Sequence, residues 1–272
     1  MTAMIATLRR ALDALRPNRS IALPIYLAYA AASAAVFIAA WQLGAGALPS
    51  PGEVVRALAA LWSERGLFDE LATSFALNLE AIAWTAAIGL ALAYLTVVPA
   101  ARPVVAAVSK LRFTGLVGWA FVLTLWARDG HQLKLWMLVF GMAPFFVTAM
   151  AAVVAELPGE RFDHARTLGM TEWRVVWEVV VLGTADRALE ALRQSAAMGW
   201  MMLTMVEGVV RSEGGLGAMM LNENKHLQLD AVFALIFVVL IVGVAQDWAL
   251  AWLRRAACPY AELATERRRD RR

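Results

Sequence analysis

Cysteine and histidine are both scarce in this sequence, with a single cysteine, Cys258, and three histidines among 272 residues. One cysteine cannot form an internal disulfide or a cysteine-based metal cluster. His131, His164 and His226 fall in three different predicted loops, so they are not expected to converge on one metal ion. The sequence therefore predicts neither a disulfide-stabilised domain nor a metal site.

Charged residues are also few, at 17% of the chain, against 61% hydrophobic residues and a mean hydropathy of +0.60. A chain this apolar is not typical of a soluble domain and indicates a protein embedded in a bilayer. The net charge of +3 does not predict nucleic-acid binding, because the basic residues are spread between apolar segments rather than gathered on one face. We expect lipid, and no nucleic acid, around this chain.

Apolar runs predict an all-α membrane protein with six spans, since about 20 apolar residues cross a hydrocarbon core of about 30 Å. The domain covers residues 21–257, between an N-terminal segment, 1–20, and a basic tail, 258–272. A cleaved signal peptide is the alternative for the first span, since small residues crowd Gly44 to Ala47. Pro144 predicts a kink, or a bend that lines a cavity, in the fourth span. The spans are expected at about residues 21–43, 74–98, 106–127, 133–155, 188–210 and 231–253.

The distribution of basic residues predicts the orientation of these spans. With both termini inside the cell, 19 of the 25 lysines and arginines lie on the cytoplasmic side, which agrees with the positive-inside rule. The remainder, predicted outside, are Arg56, Arg65, Arg128, Lys134, Arg211 and Lys225. This topology places the long charged segment 156–187 in the cytoplasm.

Segment 156–187 has the pattern of two short helices joined by a turn. Pro158-Gly159 predicts a turn, Gly169 is suited to end the first helix, and Thr171 to cap the second. A larger side chain at Gly169 is expected to overfill the junction. An apolar stripe at spacings of three and four is typical of a docking surface for another subunit or of a helix resting on lipid. The stripe comprises Phe162, Ala165, Gly169, Trp173, Val176 and Val180.

Asp163-His164-Ala165, followed after three residues by Gly169 and after nine more by Val179, resembles the EAA loop of permease subunits in binding-protein-dependent ABC importers. Asp163 replaces the glutamate of that motif, and Leu182 stands in place of its proline. The resemblance covers about residues 35–257 and extends to other motifs in the order seen in the nitrate/sulfonate/taurine branch. These motifs are Leu48-Pro49-Ser50-Pro51, Leu192-Arg193, Glu207 and Gly215-Leu216-Gly217.

The resemblance implies a type I importer permease of the bacterial inner membrane whose segment 156–187 forms coupling helices on a cytoplasmic ATPase. ATP and Mg would bind to that ATPase, and no cofactor to this chain. Other implied partners are a second permease copy or a paralogue, and a periplasmic or lipid-anchored solute-binding protein. A small anion such as nitrate, sulfonate or taurine would be the substrate. The implied coupling residues are Arg161, Asp163, His164, Ala165, Arg166, Gly169, Met170 and Thr171.

Glu80 and Glu207 lie within predicted spans, where an acidic side chain costs about 2.5 to 3.5 kcal/mol on insertion scales. They either line the translocation path, together with Trp84, Trp126 and Trp200, or pair with Arg193, a tryptophan N–H or a backbone group. No catalytic residues are predicted, because Glu80, Glu190, Arg193 and Glu207 look too scattered for an intramembrane enzyme. That enzyme, a membrane scaffold without transport, and a divergent paralogue in a heteromeric importer for another small organic solute remain the alternatives.

Overall fold

The computed structural model describes residues 23–43 and 48–259. Residues 1–20, the suggested cleavage site at 44–47 and most of the basic tail lie outside them. Within the described ranges every regular element is helical. The α-helices are α1 (Leu23–Leu43), α2 (Pro51–Glu64), α3 (Leu67–Tyr94), α4 (Arg102–Lys110), α5 (Leu116–Thr124), α6 (Gly130–Ala155), α7 (Gly159–Thr167), α8 (Glu172–Val175), α9 (Ala185–Val209), α10 (Leu216–Lys225) and α11 (Leu229–Ala257).

Side-chain caps define where two of these helices begin. At α2 the Glu53 amide donates to Ser50 Oγ at 3.4 Å, and the Ser50 amide donates to the Glu53 carboxylate at 2.7 Å. These hydrogen bonds, led by the one from the Ser50 amide, hold the pKa of Glu53 below its ordinary value. At α6, Asp129 Oδ1 accepts from the Gln132 amide at 2.7 Å. Both caps satisfy N–H groups that have no partner within the helix.

The core lies between α3, α6, α9 and α11. Its fully buried side chains include Leu77, Met137, Met142 and Leu203. Helices α3 and α6 approach closely at Gly89, where an added Cβ would overlap the Phe146 ring. Glycine at this position therefore allows the Phe146 ring of α6 to lie directly against the backbone of α3.

Contacts between helices define two ends of the bundle. At one end Tyr94 Oη lies 3.3 Å from Thr184 Oγ1 and Arg187 contacts Glu156 at 3.4 Å. We call residues 156–187 the elbow, and this end the elbow end. At the opposite end Arg65 contacts Glu223 at 2.5 Å. Helices α3, α6 and α11 therefore run toward the elbow end, whereas α9 runs away from it.

Helix α1 is attached to the bundle near its C-terminal end. The Trp41 ring stacks on Phe233 and Phe237 of α11, with centroids 6.2 and 5.8 Å apart, and its Nε1 donates to the Pro49 carbonyl at 2.9 Å. Elsewhere α1 exposes apolar side chains such as Val36 and Phe37. Such a surface is suited to contact with lipid.

Four helical stretches within the described residues are long and apolar enough to cross a membrane: Leu23–Gln42, Leu67–Val97, Gly130–Ala155 and Leu229–Ala257. The second begins at Leu67 rather than near Ser74, because residues 67–73 belong to the same helix. Helix α9, which carries Glu190, Arg193 and Glu207, is not among the four. The structure thus has four such spans, or five if one bent pair counts as one, and six crossings stay a prediction.

The bent pair replaces the continuous third span predicted at about 106–127. A 3-10 turn, Leu111–Phe113, follows α4, and the axes on either side of the break make an angle of 110°. Thr114 donates to the Leu111 carbonyl through both its amide, at 2.9 Å, and its Oγ1, at 2.6 Å. Thr114 and Gly115 then adopt extended backbone, so the helical hydrogen-bond pattern stops before α5. The break leaves open space beside α3 and α6.

Candidate functional sites

The elbow is an ordered pair of short helices with a glycine turn between them. Helix α7 ends at Thr167, and Gly169 has a φ of +75°, the left-handed conformation common after a helix. The Gly169 amide donates to the Arg166 carbonyl at 2.9 Å, and the Met170 amide to the Ala165 carbonyl at 3.3 Å. The expectation that a larger residue overfills this junction is wrong, since a Cβ at Gly169 meets no atom within 4 Å. Its backbone conformation, not the space, favours glycine.

Arg166 joins the two helices of the elbow. Its Nε and Nη2 donate to the two carboxylate oxygens of Glu172 at 2.9 and 3.2 Å, and its Nη1 donates to Asp163 at 3.1 Å. The hydrogen bond with Glu172 raises the pKa of Arg166, and the same bond lowers the pKa of Glu172. Planar, two-point pairing of this kind fixes the orientation of the two side chains as well as the distance between them. Thr171 begins α8 but makes no side-chain cap, so Arg166 is the side chain that links α7 to α8.

The apolar stripe of the elbow divides into a buried part and an exposed part. Ala165 and Val180 are buried, as a docked stripe requires, but Trp173 is 74% exposed and Val175 is buried in its place. The predicted stripe requires one continuous helical period. The turn at Gly169 and the π-helical segment Val176–Val181 each change which residues face the bundle. The consequence is an exposed apolar patch, which we call the elbow patch. It consists of Leu168, Trp173 and Trp177.

The other predicted coupling residues also lie on the elbow. Arg161, Asp163, His164 and Thr171 are exposed, and Met170 is partly buried. The elbow therefore presents charged and apolar side chains together on a surface held rigid by Arg166. Such a surface suits a protein partner, because large apolar side chains next to charges are typical of interface anchors.

A cavity of about 700 Å³ occupies the space opened by the break between α4 and α5. Its walls come from α3, the end of α4, α5 and the first half of α6. Pro144 lines it without interrupting α6, in the arrangement predicted for a proline bend. Two of the predicted path residues, Glu80 and Trp84, line this cavity, and Glu80 Oε2 lies 2.9 Å from His131 Nε2.

Glu207 lies elsewhere, in a buried cluster that we call the cap clamp. Its side chain is fully buried and accepts from Ser74 Oγ at 2.6 Å and from the Gly217 amide at 2.8 Å. The Leu216 amide donates to Ser74 Oγ at 2.8 Å. Ser74 and Glu207 thus accept the first two amides of α10 from outside that helix. Glu207 thus bonds to a backbone group, which is one of the pairings that the sequence analysis gave as the alternative to a place in the translocation path.

Two further contacts complete the cap clamp. The Gly215 amide donates to Glu70, and Lys134 Nζ donates to the Gly214 carbonyl at 2.7 Å. Gly214 and Gly215 have φ of +67° and +104°, so the glycine-rich stretch forms a tight turn. Lys134 is buried although it was counted among the cations predicted outside. No pattern in the sequence indicated that α3, α6 and α9 would all contact this turn.

The remaining two predicted path residues do not line the cavity. Trp200 is buried and donates to Gln246 Oε1 at 3.0 Å, and Asn78 Nδ2 donates to the same oxygen at 2.9 Å. Trp126 follows α5 and is largely exposed. Glu80 and Trp84 therefore share one cavity, whereas the other three residues lie elsewhere, and a role of any of the five in a path stays a prediction.

Sequence reasoning missed a network of four charges at the elbow end. Arg193 contacts Glu190 at 2.7 Å and Asp247 of α11 at 2.8 Å, and Arg254 contacts Glu190 at 2.7 Å. Glu190 and Arg193 are three residues apart on one helix. This spacing is the one feature of the sequence that predicts an ion pair in the network. Their partners on α11 became visible only in the fold. Among the described residues, no group of three or more His, Cys, Asp or Glu could hold a metal ion.

Three comparisons place this geometry among known proteins. The family described as binding-protein-dependent transport system inner membrane component matches residues 92–257. The taurine transport system permease protein of Escherichia coli (strain K12) is 27% identical over 140 residues, which are 51% of this chain and 50% of that protein. A relative from Methanocaldococcus jannaschii is 22% identical over 138 residues, 50% of this chain and 51% of that protein. The chain thus spans about half the length of both curated relatives.

A solved structure shares the fold. The inward-facing MetNI methionine ABC transporter matches with a TM-score of 0.53 and 20% identity, over 73% of this chain and 97% of that one. At this identity the likeness shows the fold, that of a type I ABC importer permease, and no more. The family match includes the elbow and most of the cavity wall.

Proposed function

The chain belongs to the family of binding-protein-dependent transport system inner membrane components, and we propose that it is a permease subunit of an ABC importer in the bacterial inner membrane. The observation that carries this proposal is the elbow. An exposed helical pair, held by Arg166 and bearing the elbow patch, lies within the family match at one end of an apolar bundle. A loop that only connected two spans would need neither feature.

We propose six crossings with both termini and the elbow in the cytoplasm. The bent pair α4–α5 would supply the third crossing and α9 the fifth. The polar side chains of α9 support its crossing, because Glu207 bonds to Ser74 and Arg193 to Asp247 inside the protein. Polar groups within a membrane are expected to face protein and to be paired in this way. The positive-inside bias supports the orientation.

The elbow would dock on a cytoplasmic ATPase that binds ATP and Mg. Closure of the ATPase pair would draw two elbows together and switch the spans from inward-facing to outward-facing, and hydrolysis would reverse the change. A lever of this kind needs a rigid element that occupies two positions, each stabilised by a different ligand state. The pairing of Arg166 with Glu172 supports a rigid elbow.

The other partners proposed are a second permease copy or a paralogue, and a periplasmic or lipid-anchored solute-binding protein. A small anion such as nitrate, sulfonate or taurine is the proposed substrate, supported by the name of the Escherichia coli relative. The alternative is that this chain is a divergent paralogue in a heteromeric importer. The substrate of that importer would be another small organic solute.

Affinity purification of the full chain from its native host tests the proposal. We expect a Walker-motif ATPase to co-purify with the wild type and with Trp62→Ser, whose exposed tryptophan lies on α2 at the opposite end. Trp173→Ser in the elbow patch should lose the ATPase, since an exposed tryptophan at an interface is a common energetic anchor. Absence of an ATPase from the wild-type preparation, or equal recovery with both variants, would contradict the proposal.

A further inference from the structure

We propose that the cavity between α3, α4 and α6 binds an organic compound that carries an ammonium group. The inference deepens the proposed function by naming a substrate class, and it rests on that function for the step from binding to transport. It depends on the shape, the charge and the aromatic walls of the cavity.

The shape of the cavity follows from the break between α4 and α5. Its volume of about 700 Å³ falls within the range of about 300 to 1,000 Å³ that is usual for small-molecule sites. Val108 and Leu111 line it from one side of the break and Leu123 from the other. Non-helical backbone at membrane depth is tolerated where it is buried or lines a water-filled space, and interrupted helices often form the binding sites of transporters. The break is therefore more consistent with a binding site than with a plain lipid-facing span.

The ionisable residues that line the cavity are two carboxylates and one imidazole. They are Glu80, Asp129 and His131, and the described lining contains neither lysine nor arginine. Glu80 shares a hydrogen bond with His131 and Asp129 accepts the Gln132 amide, but a carboxylate has about four acceptor sites and can receive further donors. A bare oxyanion would meet like charge here, whereas an ammonium group would meet acceptors.

Two cations lie close to the cavity in sequence, on either side of Leu111. The Arg112 guanidinium lies 4.9 Å above the ring of Phe113, and neither Arg112 nor Phe113 is part of the lining. Lys110 is exposed and is also outside the lining. These cations do not reverse the acidic character of the site.

Aromatic rings provide the second feature of ammonium recognition. Trp84, Trp136 and Phe140 line the same cavity as the two carboxylates. The negative face of an aromatic ring attracts a cation, and tryptophan does so most strongly. Carboxylates and aromatic rings in one cavity favour an organic ammonium compound over an inorganic anion. Within the substrates that the resemblance suggested, taurine carries an ammonium group and nitrate does not.

The position of the polar groups favours a water-soluble ligand. Glu80 and His131 are 42% and 52% exposed, and His131 lies at the start of α6, at the end of the bundle opposite the elbow. A solute would enter there, through a polar mouth, before reaching the apolar interior. An ammonium group on a lipid headgroup has the same chemistry, so the experiment must separate the two sources.

The test uses the full chain in nanodiscs of phosphatidylglycerol, a lipid without an ammonium group. Two probes with the same apolar body and opposite charge, benzylammonium and phenylmethanesulfonate, are titrated by calorimetry. We expect benzylammonium to bind at least about tenfold more tightly than phenylmethanesulfonate, and Glu80→Gln to weaken its binding by about tenfold. Trp136→Leu should also weaken it, and Glu64→Gln, an exposed residue outside the lining, should leave it unchanged. Thermal unfolding of each variant confirms folding.

Tighter binding of phenylmethanesulfonate, or unchanged benzylammonium binding in folded Glu80→Gln and Trp136→Leu, would overturn the proposal. Loss of benzylammonium binding when phosphatidylethanolamine is added to the nanodisc would assign the site to a lipid headgroup and overturn the solute assignment. Because no ATPase is present, failure here leaves the permease proposal intact. Failure of ATPase co-purification, with probe binding retained, would count against the permease proposal alone.

Discussion

At the scale of single residues, the strongest constraints come from side chains that replace a missing backbone partner. Glu207 and Ser74 receive the first amides of α10, and Lys134 donates to the turn before it. All three side chains are buried, so each hydrogen bond lost would leave a polar group without water. The cap clamp thereby fixes α10 against α3, α6 and α9.

Glu207→Gln tests the cap clamp. Glutamine keeps the size of the side chain but has one acceptor oxygen instead of two, so either Ser74 or the Gly217 amide loses its partner. We expect the free energy of unfolding to fall by about 1 to 3 kcal/mol. Chemical denaturation in detergent measures the change, with Glu64→Gln as the exposed control. Equal stability of the two variants would show that the clamp contributes nothing.

Gly169 illustrates a constraint of conformation rather than of space. A β-branched residue rarely adopts its φ of +75°, whereas asparagine does so more readily. Gly169→Val should therefore loosen the elbow by about 1 to 2 kcal/mol, and Gly169→Asn by much less. Proteolysis at the 168–171 turn, compared between the variants, reports this difference. The same cleavage rate in both would contradict the conformational explanation.

At the scale of helical elements, close packing and electrostatic pairing can be tested separately. Gly89→Ala would push a Cβ into the Phe146 ring between α3 and α6, with an expected cost of about 1 to 3 kcal/mol. Gly118→Ala on α5 meets no atom within 4 Å, so a better helix former should be neutral or stabilising by up to about 1 kcal/mol. Thermal unfolding of both variants makes the comparison. Equal effects would argue against the observed α3–α6 contact.

The pairing between α7 and α8 should depend on pH in a defined direction. Because the pKa of Glu172 is lowered in the folded elbow, the pair contributes its stability above the ordinary glutamate value of about 4.3 and loses it as the pH falls through the lowered pKa. Amide exchange of Gly169 and Met170, corrected for intrinsic rates, should show constant protection from pH 8 to 5 and a loss below about 4. A loss between pH 7 and 5 would contradict this assignment.

Arg166→Lys provides the matched variant at neutral pH. Lysine keeps the charge but cannot donate in the two-point geometry that Arg166 uses on Glu172. Protection of Gly169 and Met170 should fall in this variant, and Arg174→Lys, on the exposed side of α8, should behave as the wild type.

The sequence predicted helices better than it predicted their interruptions. Long apolar runs identified α3, α6 and α11, since hydrophobic length is a local property. The break after Leu111 was not predicted, because Thr114-Gly115 is a weak sequence signal for the end of a helix. The elbow stripe failed at Trp173 because the turn at Gly169 changes the helical register between Ala165 and Trp173.

Sites built from distant segments were the least predictable. Glu80 and Trp84 share one helix and line one cavity, which their spacing suggested. The cap clamp and the pairing of Arg193 with Asp247 join residues far apart in the chain, so no local pattern contained them. The family resemblance identified Glu207 as notable but could not show which groups it contacts.

At the scale of the whole molecule, the chain has a polar mouth at one end and a rigid, exposed elbow at the other. The cavity and the cap clamp lie toward the end opposite the elbow, and the Arg193 network lies at the elbow end. A movement imposed on the elbow can reach the cavity through α6, which borders both. This arrangement gives the proposed coupling a physical connection within one subunit.

Site-specific photo-cross-linking in native membranes tests that account most directly. A photoreactive residue placed at Trp173 in the elbow patch is compared with the same residue at Phe121 on α5, which is equally exposed but lies on the apolar bundle. The account predicts that the residue at 173 forms a covalent adduct with a Walker-motif ATPase and that the residue at 121 does not. An adduct of the residue at 173 with a periplasmic protein, or with lipid alone, would contradict it.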